Sequence, residues 1–234
     1  MSKPLQPALA DLLSYLKDIG YGDFYLKRAA GQENAAEASP HTSPDIAARA
    51  AELAAVGATA AACTRCRLAQ GRNKVVFGSG NPDADLMFIG EAPGAEEDRQ
   101  GLPFVGAAGE LLTRILAAIE TRREDVYIAN ILKCRPPGNR DPQPDEVSAC
   151  RGYLERQIEL IRPKIIVALG RIAAQTLLGN DTPIGRMRGQ WYKIMGVPTM
   201  VTYHPAALLR NQALKRPTWE DMQQVRDRLR ELGS

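Results

Sequence analysis

Four short runs of apolar residues recur along the second two-thirds of the chain, at residues 85–90, 126–132, 164–170 and 199–203. Each is apolar almost throughout instead of alternating with polar residues, the pattern of a strand covered on both faces. Stretches of helical periodicity lie between them at residues 110–120, 145–161 and 171–178. Strands separated by helices predict an α/β domain, a three-layer α/β/α sandwich around a mostly parallel four-stranded central sheet. Such sheets collect ligands outside the carboxyl ends of their strands, so the residues that follow each run become the candidate site.

The N-terminal part has a different pattern. Leu9, Leu12, Leu13, Leu16 and Ile19 fall at helical spacing, which predicts an amphipathic helix over 5–19. Residues 29–44 are rich in Ala, Glu, Ser and Pro and too poor in large apolar side chains to offset the entropy of ordering. The expected organisation is a helical extension over 1–28, a linker over 29–44 and one domain over 45–234. An Ala-rich helix opens that domain, with Asp45 as its expected N-cap. The first helix is a candidate surface for docking onto the domain or onto a partner.

Composition narrows the class. A chain of 234 residues with 44% hydrophobic content can bury one good core and carry appendages. The net charge is only +3, and the surplus lies in residues 61–234, with twenty-five Lys and Arg against twenty Asp and Glu. That permits a nucleic-acid partner without requiring one. An apolar leader and a run of about eighteen apolar residues are both missing, so the expected setting is cytoplasmic, with no membrane role.

The four cysteines change the picture more. Cys63 and Cys66 form a close pair, while Cys134 and Cys150 stand apart. Disulfides suit an oxidising compartment poorly matched to this chain. Zinc commonly takes two close pairs, whereas an iron-sulfur cluster needs only four thiolates that converge. An iron-sulfur centre ranks first and zinc second. Arg65, Arg67, Arg135 and Arg151 each adjoin a cysteine and would favour thiolates.

Three of the four strand ends are chemically unusual. The first run leads into Gly90-Glu91-Ala92-Pro93-Gly94 and an acidic cluster with Glu96, Glu97 and Asp98, then Leu102-Pro103-Phe104-Val105-Gly106. No GxGxxG or GK[ST] follows, which removes the main support for a nucleotide fold. Asn130 lies within the second run, just before Lys133 and Cys134, and a buried amide there must find partners for both donor and acceptor. His204, one of only two histidines, follows the last run and precedes Pro205.

Taken in order, Cys63-x2-Cys66, Gly90-Glu-Ala-Pro-Gly94, Leu102-Pro-Phe-Val-Gly106, Asn130-Ile-Leu-Lys-Cys-Arg-Pro-Pro137, Cys150 and His204-Pro-Ala-Ala-Leu-Leu-Arg210 resemble the iron-sulfur, family-four uracil-DNA glycosylases of bacteria and archaea. The resemblance spans roughly residues 63–229. It implies a 4Fe-4S cluster on Cys63, Cys66, Cys134 and Cys150, a monomer acting near the nucleoid, single- or double-stranded DNA containing uracil as substrate, and a repair or replication protein as the candidate partner of the N-terminal helix. Glu91, Asn130 and His204 are then the expected catalytic residues. Gly90, Ala92, Glu97 and Phe104 complete the uracil site, with Phe104 stacking on the extruded ring and Glu97 excluding the methyl of thymine. Better-known uracil glycosylases have Asp where this chain has Ala92, so water would be held by backbone and Glu91. Leu208 and Leu209 are candidate wedges for the base stack, and Arg186, Arg188, Arg210 and Lys215 candidate phosphate contacts. The competing classes are a DNA-binding protein of the same superfamily without turnover and a redox-sensing iron-sulfur protein.

Overall fold

The computed structural model describes residues 44–233. The extension over 1–28 and most of the 29–44 linker lie outside the described residues, as does the helix expected over 5–19. In chain order the helices are α1 (Pro44–Ala61), α2 (Ala95–Gln100), α3 (Ala107–Ala118), α4 (Pro144–Ile161), α5 (Arg171–Leu178), α6 (Ile184–Met187), α7 (Pro205–Arg210) and α8 (Lys215–Gly233). The strands are β1 (Ser79–Gly80), β2 (Leu86–Gly90), β3 (Tyr127–Asn130), β4 (Ile165–Leu169), β5 (Trp191–Ile194) and β6 (Val197–Thr202).

The four apolar runs form the parallel centre of the sheet, β3-β2-β4-β6, with Phe88 paired to both Ile128 and Val167. Two short antiparallel strands, β1 and β5, extend it to six at the edges. Successive side chains on β2 face opposite layers. Leu86 and Phe88 pack with Leu111, Leu112 and Ile115 of α3 and Trp219, Met222 and Val225 of α8. Met87 and Ile89 pack on the other face with Leu53 of α1 and Leu154, Ile158 and Ile161 of α4. These are the three layers that the apolar runs require, since a strand buried on both sides must be covered twice.

Asp45 lies in the first turn of α1, not at an N-cap. It pairs with Arg49 at 2.9 Å, and Arg49 also reaches the Leu160 carbonyl and Asp83, each at 2.6 Å. One buried guanidinium thus ties α1 to the end of α4 and to the turn before β2. At the start of α4, Gln143 and Glu146 form a capping box. Glu146 is wholly buried and takes a forked contact from Arg140 at 2.9 and 2.5 Å, with Arg67 at 3.6 Å. It joins the segment after Cys66 to the loop after Cys134.

Candidate functional site

A cavity of about 500 Å³ opens at the carboxyl ends of the parallel strands. Glu91 and Ala92 after β2, Asn130 at the end of β3, Arg171 after β4, and Tyr203 and His204 after β6 all line it. Phe104 and Glu97 enter from the α2–α3 segment. The expected core of the site, Glu91, Ala92, Glu97, Phe104, Asn130 and His204, therefore converges on one cavity.

The strand register brings Gly90 opposite Asn130. Backbone bonds from Ile131 to the Gly90 carbonyl at 2.9 Å and from Leu132 to the Glu91 carbonyl at 3.0 Å carry the pairing past the strand ends. Asn130 is 2% exposed, and its Oδ1 is the sole buried side-chain N or O among the described residues that lacks a hydrogen-bond partner. Leaving such an atom unpaired costs about 1–3 kcal/mol, so its presence in a cavity marks it as an acceptor awaiting a donor. A Cβ on Gly90 would sit 2.4 Å from that oxygen and 2.8 Å from the Phe104 ring. Glycine is required there because amide and ring close over the backbone.

Phe104 has a positive φ of 52°, a strained conformation for an aromatic residue. Arg123 stabilises it by donating to the Pro103 and Phe104 carbonyls at 2.8 and 2.9 Å. Gly109 lets α3 pass against the same carbonyl, where a Cβ would lie 1.8 Å from it. The Phe104 ring stacks beside the His204 ring, centroids 5.4 Å apart.

His204 caps the N-terminus of α7, its Nδ1 accepting from the Ala206 amide at 3.1 Å. That bond leaves the ring proton on Nε2. Burial, and secondarily the charge of Arg210, pushes its pKa down to about 4, so the ring is neutral at working pH. Glu91 moves the other way: burial, then the charge of Asp141, pushes its carboxyl up to about 7 against the pull of Arg171. Glu97 Oε1 accepts from the Val105 and Gly106 amides at 3.0 and 3.2 Å, fixing the turn into α3.

The expected DNA contacts divide. Leu209 and Arg210 are exposed on α7, Arg210 at the cavity rim, and Arg186 is exposed on α6. Leu208 is not: it is fully buried in the core beneath α7 and cannot insert into a base stack without dismantling that core. Arg188 is committed to Asp221 and to the Pro217 carbonyl at 2.7 Å, and Lys215 is buried. Neither offers its charge freely to a phosphate.

Cys63, Cys66, Cys134 and Cys150 ring a second, smaller cavity, beside Arg65, Arg72, Lys133 and Tyr153. Arg72 lies 3.4 Å from Cys134 Sγ, and the Lys133 amide donates to Cys150 Sγ at 3.3 Å. Burial pushes the Cys134 and Cys150 thiols up, while at Cys63 hydrogen bonds from Arg65 and Tyr153 outweigh burial and lower it. Lys133 is itself pushed down to about 8 by burial, with Cys150 opposing.

Several residues at the site are not evident from the sequence. Arg171, the first residue of α5 and two residues beyond β4, pairs with Asp141 at 2.7 Å and so links the end of β4 to the loop after Cys134. It follows the third apolar run, but a lone arginine there has no neighbouring residue type that sets it apart from a solvated one. Tyr203 is the last residue of the fourth apolar run and lies just beyond β6. Arg123 carries no such signal, because it meets Phe104 only through the fold.

Comparison with known proteins points in one direction. The family model described as Uracil DNA glycosylase superfamily matches residues 77–223. The chain is 48% identical over 171 residues to a type-4 uracil-DNA glycosylase of Archaeoglobus fulgidus, covering 70% of this chain and 86% of that one. It is 48% identical over 176 residues to the type-4 enzyme of Saccharolobus solfataricus, covering 71% and 82%. For the type-4 enzyme of Thermotoga maritima the values are 45% over 175 residues, covering 73% and 91%.

Proposed function

The chain belongs to the type-4 uracil-DNA glycosylases of the uracil DNA glycosylase superfamily, and from that premise and the cavity at the strand ends we infer how it acts. It is a uracil-DNA glycosylase of base excision repair, hydrolysing the N-glycosyl bond between uracil and deoxyribose. The observation that carries the site assignment is the buried, unpartnered Oδ1 of Asn130 at the Phe104 wall of the cavity. Uracil offers a donor at N3 and an acceptor at O4, which suit the oxygen and nitrogen of one amide; cytosine reverses both. A site built to pair those groups rejects a base that leaves them unpaired.

In this reading the extruded uracil stacks on Phe104 and pairs with Asn130. As the bond to the sugar breaks, negative charge develops on the base, and the Nε2–H of neutral His204 donates to it. An uncharged donor whose other nitrogen is already bonded holds its orientation as the charge appears. Glu91, with the Ala92 backbone, holds the water that attacks the oxocarbenium-like sugar. Glu97, fixed by two amides, stands where the methyl of thymine would have to fit. Leu209 fills the gap in the stack, and Arg186 and Arg210 meet phosphates.

The four thiols fit an iron-sulfur centre. They surround a common cavity, and one close pair with two dispersed cysteines suits a 4Fe-4S cluster, with one thiolate for each iron, better than the two close pairs that zinc commonly takes. Bound there by Cys63, Cys66, Cys134 and Cys150, it would crosslink the segment before β1 to the loop after β3 and to α4 and take no part in the hydrolysis. No helix among the described residues is long and apolar enough to cross a membrane. A DNA substrate supports a nucleoid-associated, cytoplasmic setting.

The test is incubation of the purified protein with uracil-containing single-stranded and duplex oligonucleotides, followed by hot alkali. Strand breaks at the uracil positions are expected on both. No cleavage above the uracil-free control would reject the assignment.

A further inference from the structure

Lys133 is 1% exposed. A buried ammonium needs acceptors for its protons and a nearby negative charge. Its acceptors are the Asn130 carbonyl at 2.8 Å and Gln157 Oε1 at 2.5 Å, and it stands 5.7 Å over the Phe77 ring. None of these is a carboxylate. The negative charge comes from the cysteine side: Lys133 lines the cysteine cavity, its main-chain amide donates to Cys150 Sγ at 3.3 Å, and the charge of Cys150 favours the ammonium against burial.

The contact with Asn130 meets a need set by the sheet. On its inner edge β3 pairs with β2 as far as Gly90 and Asn130. On its outer edge β1 reaches only Tyr127 and Ile128, so no strand is there to receive the Asn130 carbonyl. Lys133 supplies the missing donor. Gln157, which accepts from Lys133, is held in turn through its Nε2, bonded to the Phe77 carbonyl at 2.9 Å and the Tyr127 hydroxyl at 3.1 Å.

We propose that Lys133 is a positioning residue that couples the four-cysteine centre to base recognition: anchored by the negative charge of that centre, its ammonium holds the main chain of Asn130 and with it the amide that reads uracil. The proposal rests on the iron-sulfur glycosylase reading above. It assigns the centre a specific electrostatic task, to be the counter-charge of one buried lysine.

The test compares cluster-loaded wild-type protein with Lys133→Met, which keeps length and removes charge. With the visible absorbance of the cluster retained, single-turnover uracil excision should fall on the order of ten- to a hundredfold, the penalty of a reading group displaced by about an ångström. The cluster's reduction potential should shift to more negative values, since a neighbouring cation is gone. Because Lys133 acts through Asn130, the Asn130→Asp/Lys133→Met double variant should be no slower than Asn130→Asp alone. A wild-type rate, an unmoved potential or multiplicative losses would each overturn the role. If Lys133→Met does not assemble, Gln157→Met decides: it leaves the lysine but frees its ammonium, and a wild-type rate and potential there would overturn the proposal. Absence of uracil release by the wild-type chain would instead overturn the glycosylase reading beneath it.

Discussion

At the scale of single residues, the catalytic pocket sets two of its titratable groups, His204 and Glu91, in opposite directions, with burial the largest cause for each. Burial disfavours the charged form of each, so His204 is held neutral down to about pH 4 while Glu91 stays protonated up to about pH 7. If Glu91 holds the attacking water, it does so as the carboxylate. Single-turnover excision should therefore rise with pH through about 7, and Glu91→Gln should be slow and flat across the same range. His204 cannot produce that limb, because it has lost its proton well below it. Stability should move the opposite way. The folded protein binds the Glu91 proton more tightly than the unfolded chain, so this group's contribution is complete below about pH 4.5 and is lost as pH rises through about 7. Glu91→Gln removes the penalty and should melt higher than wild type above pH 7. A pH–rate profile without a limb near neutrality, or one that survives Glu91→Gln unchanged, would take the water-holding role from this residue.

At the scale of elements, α7 shows how much a short helix conceals. Leu208 and Leu209 are adjacent and chemically identical, yet one is fully buried and the other 42% exposed. Leu208→Ala should cost about 2–5 kcal/mol of stability by opening a cavity under α7. Leu209→Ala should leave stability within about 0.5 kcal/mol, yet slow excision from duplex more than from single strands, where no stacked partner must be replaced. Equal slowing on both substrates would remove the wedge role. Six residues give too little periodicity to tell the two faces of this helix apart, which is why the sequence suggests both. The same limit explains the edge strands. The runs that became β2, β3, β4 and β6 are legible because burial on both faces makes them continuously apolar. By contrast β1 has two residues, and β5 shows three side chains of four at least partly exposed. At the site, Glu91, Asn130 and His204 are legible because strand ends can be located from those runs. Arg123 is not, because nothing local distinguishes an arginine that reaches back nineteen residues to a strained Phe104 from one in solvent.

At the scale of the whole molecule, two mechanically distinct parts meet at β3. The large cores on either side of the central sheet contain none of the cysteines. Cys134 and Cys150 belong to a small separate cluster with Ala60, Leu68, Leu132 and Tyr153, packed against Cys63 and Cys66. That flank holds the end of α1, the start of α4 and the loop carrying Pro136, Asn139, Arg140 and Asp141 into the pocket wall. Its polar ties include Glu146 with Arg140 and Arg67, Arg67 with Asp145, Arg171 with Asp141, and Lys133 with the Asn130 carbonyl and Gln157. Removing the thiolate-bound centre would take away the counter-charge of the cations Arg65, Arg72 and Lys133 that line its cavity, so the flank should loosen before the sheet does. Cys134→Ala is accordingly expected to lose the visible absorbance of the cluster and to melt at lower temperature, with far-ultraviolet circular dichroism still native at 25 °C. Hydrogen exchange should accelerate first in residues 134–142, while β2 and β4 remain protected. Uracil excision should fall with that local opening, because the wall carrying Asp141 and the main chain leading to Asn130 lose their support together. A colourless Cys134→Ala with wild-type excision and unaltered exchange over 134–142 would show that the cysteines do not brace the pocket.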